Sequence, residues 1–286
     1  MKLMTTVGRA RAGVSRWVLP AALIAAAVLG PVTAWAHDEH ADDKRAKRVG
    51  ENFEWSGRIA SGKSIEVKGV NGGITAEAST GTQVEVVARK SGRRSDPDEV
   101  TIEVIEHAGG VTICAVYPSP RGREPNECGP GEKGRMNTRD NDVKVEYTVR
   151  VPAGVRFIGR TVNGGIEARG LKADVEAYTV NGSIELVTRG VARASTVNGS
   201  IEAAMGTAAT DELEFETVNG GITLTVPAGS GAEIHASTVN GDISTDFPLT
   251  VKGKFSRRSI SGTIGRGGPP LNLSTVNGDI RLRSAS

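Results

Sequence analysis

Thr161-Val162-Asn163-Gly164-Gly165-Ile166, Thr179-Val180-Asn181-Gly182-Ser183-Ile184 and Thr196-Val197-Asn198-Gly199-Ser200-Ile201 follow one another at intervals of 18 and 17 residues. Val-Asn-Gly recurs at Asn71, Asn219, Asn240 and Asn277, and Ile260-Ser261-Gly262 occupies the one vacant slot. From Asn163 onward the spacings are 18, 17, 21, 21, 21 and 16 residues, the length of one coil of a solenoid. Three residues after each turn residue stands an isoleucine without exception: Ile74, Ile166, Ile184, Ile201, Ile222, Ile243, Ile264 and Ile280. Apolar residues also stand six before, as Ile65, Phe157 and Val175 illustrate. Period-two alternation on both sides of a turn describes two short strands meeting at a corner.

A single-stranded parallel β-solenoid with about 16–21 residues per coil is therefore the expected fold. Isoleucines one coil apart would stack into a core ladder. The turn residues Asn71, Asn163, Asn181, Asn198, Asn219, Asn240, Ser261 and Asn277 would form a second ladder, their amides bonding along the axis. At ~4.8 Å per coil, the stretch from Asn163 to Asn277 would span roughly 30 Å. The corner suits Asn-Gly because both residues tolerate positive φ. The alternative is an antiparallel meander or barrel, since Asn-Gly also makes two-residue hairpins. Alternation points the Thr before each Val inward and leaves Val162, Val180, Val197, Val218, Val239 and Val276 facing out. A bulge turning these valines into the core is expected; an exposed stripe, and with it a docking surface, is the other reading.

Outward from the repeat, 77–151 lacks the turn signature but keeps strand-like runs, and 118–142, rich in Pro, Gly, Arg and Asn, reads as a surface excursion. Cys114 and Cys128 are the only cysteines. In an oxidising compartment they are expected to form a disulfide around this excursion.

The N-terminus carries Lys2, Arg9, Arg11 and Arg16, an apolar run over 18–32, and the small-x-small site Ala34-Trp35-Ala36. This is the pattern of a Sec-type signal peptide over 1–36 cleaved after Ala36, too short to span a bilayer. The product would be periplasmic or secreted, with no transmembrane segment in the mature chain. Removing the signal leaves 31 basic against 33 acidic residues, so no nucleic-acid partner is indicated. A charged, disordered leader over 37–52, beginning His37-Asp38-Glu39-His40, would precede a single solenoid domain over 53–286.

The strongest chemical candidate is Glu167, Glu185 and Glu202 on successive coils. It reads as a solvated face softened by Arg169 and Arg189; Ca²⁺ binding or acid–base action on a polysaccharide are the alternatives. His107 and His235 stand apart from any nucleophile motif. No catalytic, cofactor-binding or metal residue is assigned, and no cofactor is implied.

The segment Val149-Arg150-Val151-Pro152-Ala153-Gly154-Val155 leading into repeated Thr-Val-Asn-Gly-(Gly/Ser/Asp)-Ile resembles the bacterial "putative adhesin" family of β-solenoid domains of unknown function. The resemblance covers 143–282 well and 59–117 loosely, and the Cys114–Cys128 loop departs from it. It implies the solenoid fold and carries no binding residue across. The expected function is a non-enzymatic envelope protein that binds an envelope polymer or protein, or serves as a scaffold. A polysaccharide-acting enzyme and a periplasmic sensor using the stapled loop are the alternatives.

Overall fold

The computed structural model describes residues 47–251 and 256–285, so the signal, its cleavage site and most of the leader lie outside the described residues. The described chain forms two eleven-stranded sheets that face each other across a narrow core. Each winding contributes one strand to each sheet, joined at the Thr-Val-Asn-Gly corner. The sheets are open and their central strands parallel, which sets aside the meander and the barrel.

In the first sheet Ile74, Ile166, Ile184, Ile201 and Ile222 pair in one register, all at most 1% exposed. In the second, Ile65, Phe157, Val175 and Ala192 pair likewise. Side-chain size is balanced within windings. Gly159 makes room for Phe157: a Cβ there would lie 3.1 Å from the Phe157 ring and 3.2 Å from Ile166. Where Ala192 and Ala194 leave space, the buried Met205 reaches in, its sulfur 3.1 Å from the Ala192 amide.

Windings do not stack in chain order. After Ile222–Val226 the next neighbour is Ile280–Ser284, and Ile243–Thr245 lies beyond it. The second sheet repeats this, with Pro270–Asn277 between Leu213–Glu216 and Ala232–Asn240. The chain skips one slot, makes the next winding, turns back, and fills the gap with its C-terminal winding. At the other end Ser64–Lys68 is flanked by Arg156–Arg160 and by Gly110–Val116, which is later in sequence. Both ends close with antiparallel strands. Val84–Gly92 and Thr101–His107 cap one end, and Ser259–Ile264 with Leu249–Val251 caps the second sheet at the other.

Two expected ladder members are displaced by this cap. Ser261 and Ile264 lie on an antiparallel strand, opposite His235 and Ala232, so Ser261 is no corner and Ile264 packs in the second sheet. The remaining turn residues bridge in the order Asn71, Asn163, Asn181, Asn198, Asn219 and Asn277. Asn240 pairs with Asn277.

Corner chemistry also differs from expectation. Among the described residues no asparagine has positive φ, and of the corner glycines only Gly72 does, at 122°. Glycine is required for a steric reason. A Cβ on Gly164, Gly182, Gly199, Gly220, Gly278 or Gly241 would overlap the carbonyl oxygen of the glycine stacked against it. The inward threonines are satisfied there. Thr161, Thr179, Thr196, Thr217, Thr275 and Thr238 are buried, and each hydroxyl donates to a corner glycine carbonyl on the neighbouring winding at 2.8–3.0 Å. With the hydroxyl partnered, the threonine keeps the inward place that strand alternation gives it, and no bulge turns the valine in. The valines consequently face out, from 37% exposed at Val162 to 56% at Val239. Val218 is half-buried, and Val70, in the first winding, is buried.

Candidate functional site

Three surfaces follow from this framework: the corner edge, the glutamate row and the ground beneath the disulfide loop. Along the corner edge each asparagine Nδ2 donates to the next Oδ1 at 2.8 Å, from Asn163 onto Asn71 through to Asn240 onto Asn277. Asn71 ends the series by donating to the Asn141 carbonyl at 3.2 Å. These exposed amides therefore satisfy one another, and beside them runs the valine row. The edge is a rigid alternation of apolar and amide groups.

Glu167, Glu185 and Glu202 do align, as paired positions on adjacent strands. Arg169 lies across the first two, 3.0 Å from Glu167 and bonded to both oxygens of Glu185 at 3.1 and 3.0 Å. The carboxylates raise its pKa, with the Glu185 hydrogen bonds foremost. The guanidinium occupies the ground on which a calcium ion would need several free oxygens, and among the described residues no three His, Cys, Asp or Glu side chains converge as metal ligands. Among the described residues Arg189 makes no hydrogen bond or ion pair with the row; its backbone carbonyl accepts from Thr207.

The most elaborate polar arrangement lies beneath the 118–142 excursion. Cys114 and Cys128 are joined, with Cα atoms 5.7 Å apart. Cys114 sits beside Lys68 on the outward face of the second sheet, so the bond draws the loop down over that face. There the Lys68 ammonium donates to the carbonyls of Gly129, Gly131 and Lys133 at 2.8, 2.8 and 3.0 Å. Burial lowers the Lys68 pKa, with nearby Glu66 opposing and Arg160 adding to the fall. Glu66, only 3% exposed, accepts from the Gly131 amide at 2.8 Å, the Thr112 hydroxyl at 2.9 Å and Arg160 Nε at 3.0 Å. A buried carboxylate with three donors is the arrangement that offsets its desolvation. Arg160 in turn stacks on Tyr178, 4.1 Å from the ring centroid. The Tyr178 hydroxyl donates to Glu176 at 3.0 Å, and burial, with that carboxylate, pushes its pKa up to about 12.

The histidines are separate. His107 accepts the Gly109 amide proton at Nδ1 (3.2 Å) and faces the Thr112 hydroxyl from Nε2 at 3.1 Å. Because that hydroxyl already donates to Glu66, the ring proton sits on Nε2. His235 lies 3.4 Å from the Ser261 hydroxyl at the far cap. Glu66, Lys68 and Arg160 carry no distinguishing sequence signal: Glu176 occupies the position equivalent to Glu66 one winding beyond Arg160, without a covering loop. Their burial comes from a segment about 60 residues away closing over them.

Comparison with known proteins adds a family. A profile described as Toastrack DUF4097 matches residues 62–283. No curated protein matches. Among solved structures the chain is similar to a putative cell adhesion protein from Clostridium sporogenes, at 11% identity and TM-score 0.43, covering 82% of this chain and 100% of that one. It is also similar to a putative adhesin from Bacteroides fragilis, at 13% identity and TM-score 0.33, covering 82% and 97%.

Proposed function

The chain belongs to the Toastrack DUF4097 family, and on that footing we propose that it is an exported, non-enzymatic envelope protein that presents a rigid rod for binding an envelope polymer or protein. The observation that carries this reading is the way the repeat engages its own polar groups. Corner threonines bond glycine carbonyls, asparagines bond one another, and Arg169 pairs with Glu167 and Glu185 in the glutamate row. Such groups fix a shape and leave no convergent acid, base or nucleophile among the described residues of the repeat. The basic, apolar N-terminus supports export. Among the described residues no helix is long and apolar enough to cross a membrane.

The test is retention of the purified chain on isolated envelope fractions, compared with a variant unfolded by substitution in the isoleucine ladder. Saturable retention of the folded chain alone supports the proposal. Glycan cleavage that disappears on converting Glu167, Glu185 and Glu202 to glutamine would replace it with the enzyme reading.

A further inference from the structure

At the end of the rod capped by Val84–Gly92 and Thr101–His107 the two sheets do not seal against each other. Phe53–Gly57 is an outermost strand of the first sheet and pairs antiparallel with Val84–Gly92, placing Trp55 opposite the buried Val86. Thr101–His107 is outermost on the second, with Glu106 opposite the buried Val111. Paired residues share a sheet face, so Trp55 and Glu106 both belong to the inner faces, at the mouth between the sheets. Inner positions along Thr101–His107 read Ile102, Val104, Glu106: two apolar residues packed on the core, then a carboxylate where the core opens.

The mouth holds a cleft of about 290 Å³, lined among others by Trp55, Arg58, Lys63, Glu106 and His107. Trp55 lies down against its own strand. A Cβ on Gly57 would come within 2.5 Å of the indole, so only glycine there permits this pose. Lys63 is tethered to the Ala108 carbonyl, and both His107 nitrogens are engaged, which fixes those two walls. Arg58 and Glu106 have no hydrogen-bond or ion-pair partner among the described residues. They are the charged groups left to meet a ligand.

We infer that this cleft is a binding site for one acidic sugar residue, a uronate-type pyranose carrying a carboxylate. The inference rests on the binding-rod reading above and supplies its ligand class and its location at the tip. An indole offers a flat apolar surface to the C–H face of a pyranose ring. Arg58 provides the planar fork that grips a carboxylate through paired hydrogen bonds. Glu106 accepts from ring hydroxyls. Two cations against one carboxylate leave the cleft positive, which selects an anionic sugar over a neutral one. The volume lies just below the roughly 300–1,000 Å³ of small-ligand sites, which suits one ring with the polymer continuing outside.

The experiment uses the full chain with Trp17→Phe and Trp35→Phe, so that Trp55 is the only tryptophan reporting. Its emission is titrated with a galacturonate oligomer, with the neutral galactose oligomer and with acetate. The galacturonate oligomer should give saturable change, the other two none. Arg58→Gln should weaken binding by about tenfold or more, the size expected for a lost charge-assisted contact. Trp55→Phe, read by calorimetry, should weaken it also. Absence of galacturonate binding at millimolar concentration overturns the inference, as does unchanged affinity in Arg58→Gln. Envelope retention that survives Arg58→Gln undiminished would overturn the site while leaving the rod reading in place; a parent chain that neither binds galacturonate nor is retained on envelope fractions would sink the two together.

Discussion

Gly199→Ala tests why glycine follows every corner asparagine. The added Cβ would overlap the Gly182 carbonyl oxygen, far inside the 3.0 Å that such atoms respect. Relief requires the two windings to part locally by about 1 Å. That strains Asn198 N–H to the Val180 carbonyl at 2.7 Å, Asn198 Nδ2 to Asn181 at 2.8 Å and the Thr196 hydroxyl to the Gly182 carbonyl at 2.9 Å. With each bond contributing ~0.5–1.5 kcal/mol and overpacking ~1–3 kcal/mol, the expected loss is about 3–5 kcal/mol. The control is Gly229→Ala, which has open space around it and no positive φ; it should change stability by ~1 kcal/mol or less. Gly199→Asn separates the two accounts of the glycine. Asparagine tolerates positive φ but carries a Cβ, so it should be as damaging as alanine. Urea unfolding followed by far-ultraviolet circular dichroism reads all three. A Gly199→Ala protein within about 0.5 kcal/mol of the parent, or an asparagine that restores stability, refutes the steric reasoning.

Other outcomes are equally specific. Thr196→Val keeps the shape but strands the Gly182 carbonyl, and should cost about 1–2 kcal/mol in the same unfolding assay, whereas Val197→Thr on the exposed row should be nearly neutral. Replacing Cys114 and Cys128 with serine should lower stability by about 3 kcal/mol for this short loop. It should also open Arg121, Arg123 and Lys133 to trypsin while the windings resist, as mass spectrometry of the fragments would show. The Asp142 carboxylate accepts backbone protons from Ser95, Arg94 and Arg93, and these bonds, Ser95 first, hold its pKa below the ordinary range. A depressed folded-state pKa gives stability that is present above the unfolded value of ~3.9 and lost as pH falls below it. Asp142→Asn should therefore flatten the acid limb of a stability–pH curve, and an unchanged limb would contradict the assignment.

The isoleucine ladder was legible because its signal is local and repeated: the same residue three places after each corner fills the same slot in each winding. Ser261 and Ile264 match that spacing yet leave the ladder, because Ile260-Ser261-Gly262-Thr263-Ile264 alternates equally well as an antiparallel cap strand. The stacking order was illegible for a related reason. Every winding presents the same isoleucine and the same asparagine, so pattern alone does not say whether Asn219 meets Asn240 or Asn277. The outward valines were misjudged because an inward threonine looks costly until its hydroxyl finds the neighbouring glycine carbonyl. Glu66 and Lys68 take the outward positions of a strand, where charges are ordinary, and only the distant loop, drawn down by Cys114 and Cys128, covers them. The meeting of Trp55 with Arg58 and Glu106 depends on how two edge strands end.

Cysteine pairs on the outward face of the first sheet test the stacking directly. Thr223 pairs with Arg281, and Ser244 pairs with Arg281 from the other side. Adjacent parallel strands lie ~4.8 Å apart, within reach of a disulfide, whereas strands two apart are not. Thr223→Cys with Arg281→Cys should cross-link readily under mild oxidation, and Thr223→Cys with Ser244→Cys should not. The reverse result would mean that windings follow chain order and that the C-terminal winding is not inserted between its predecessors.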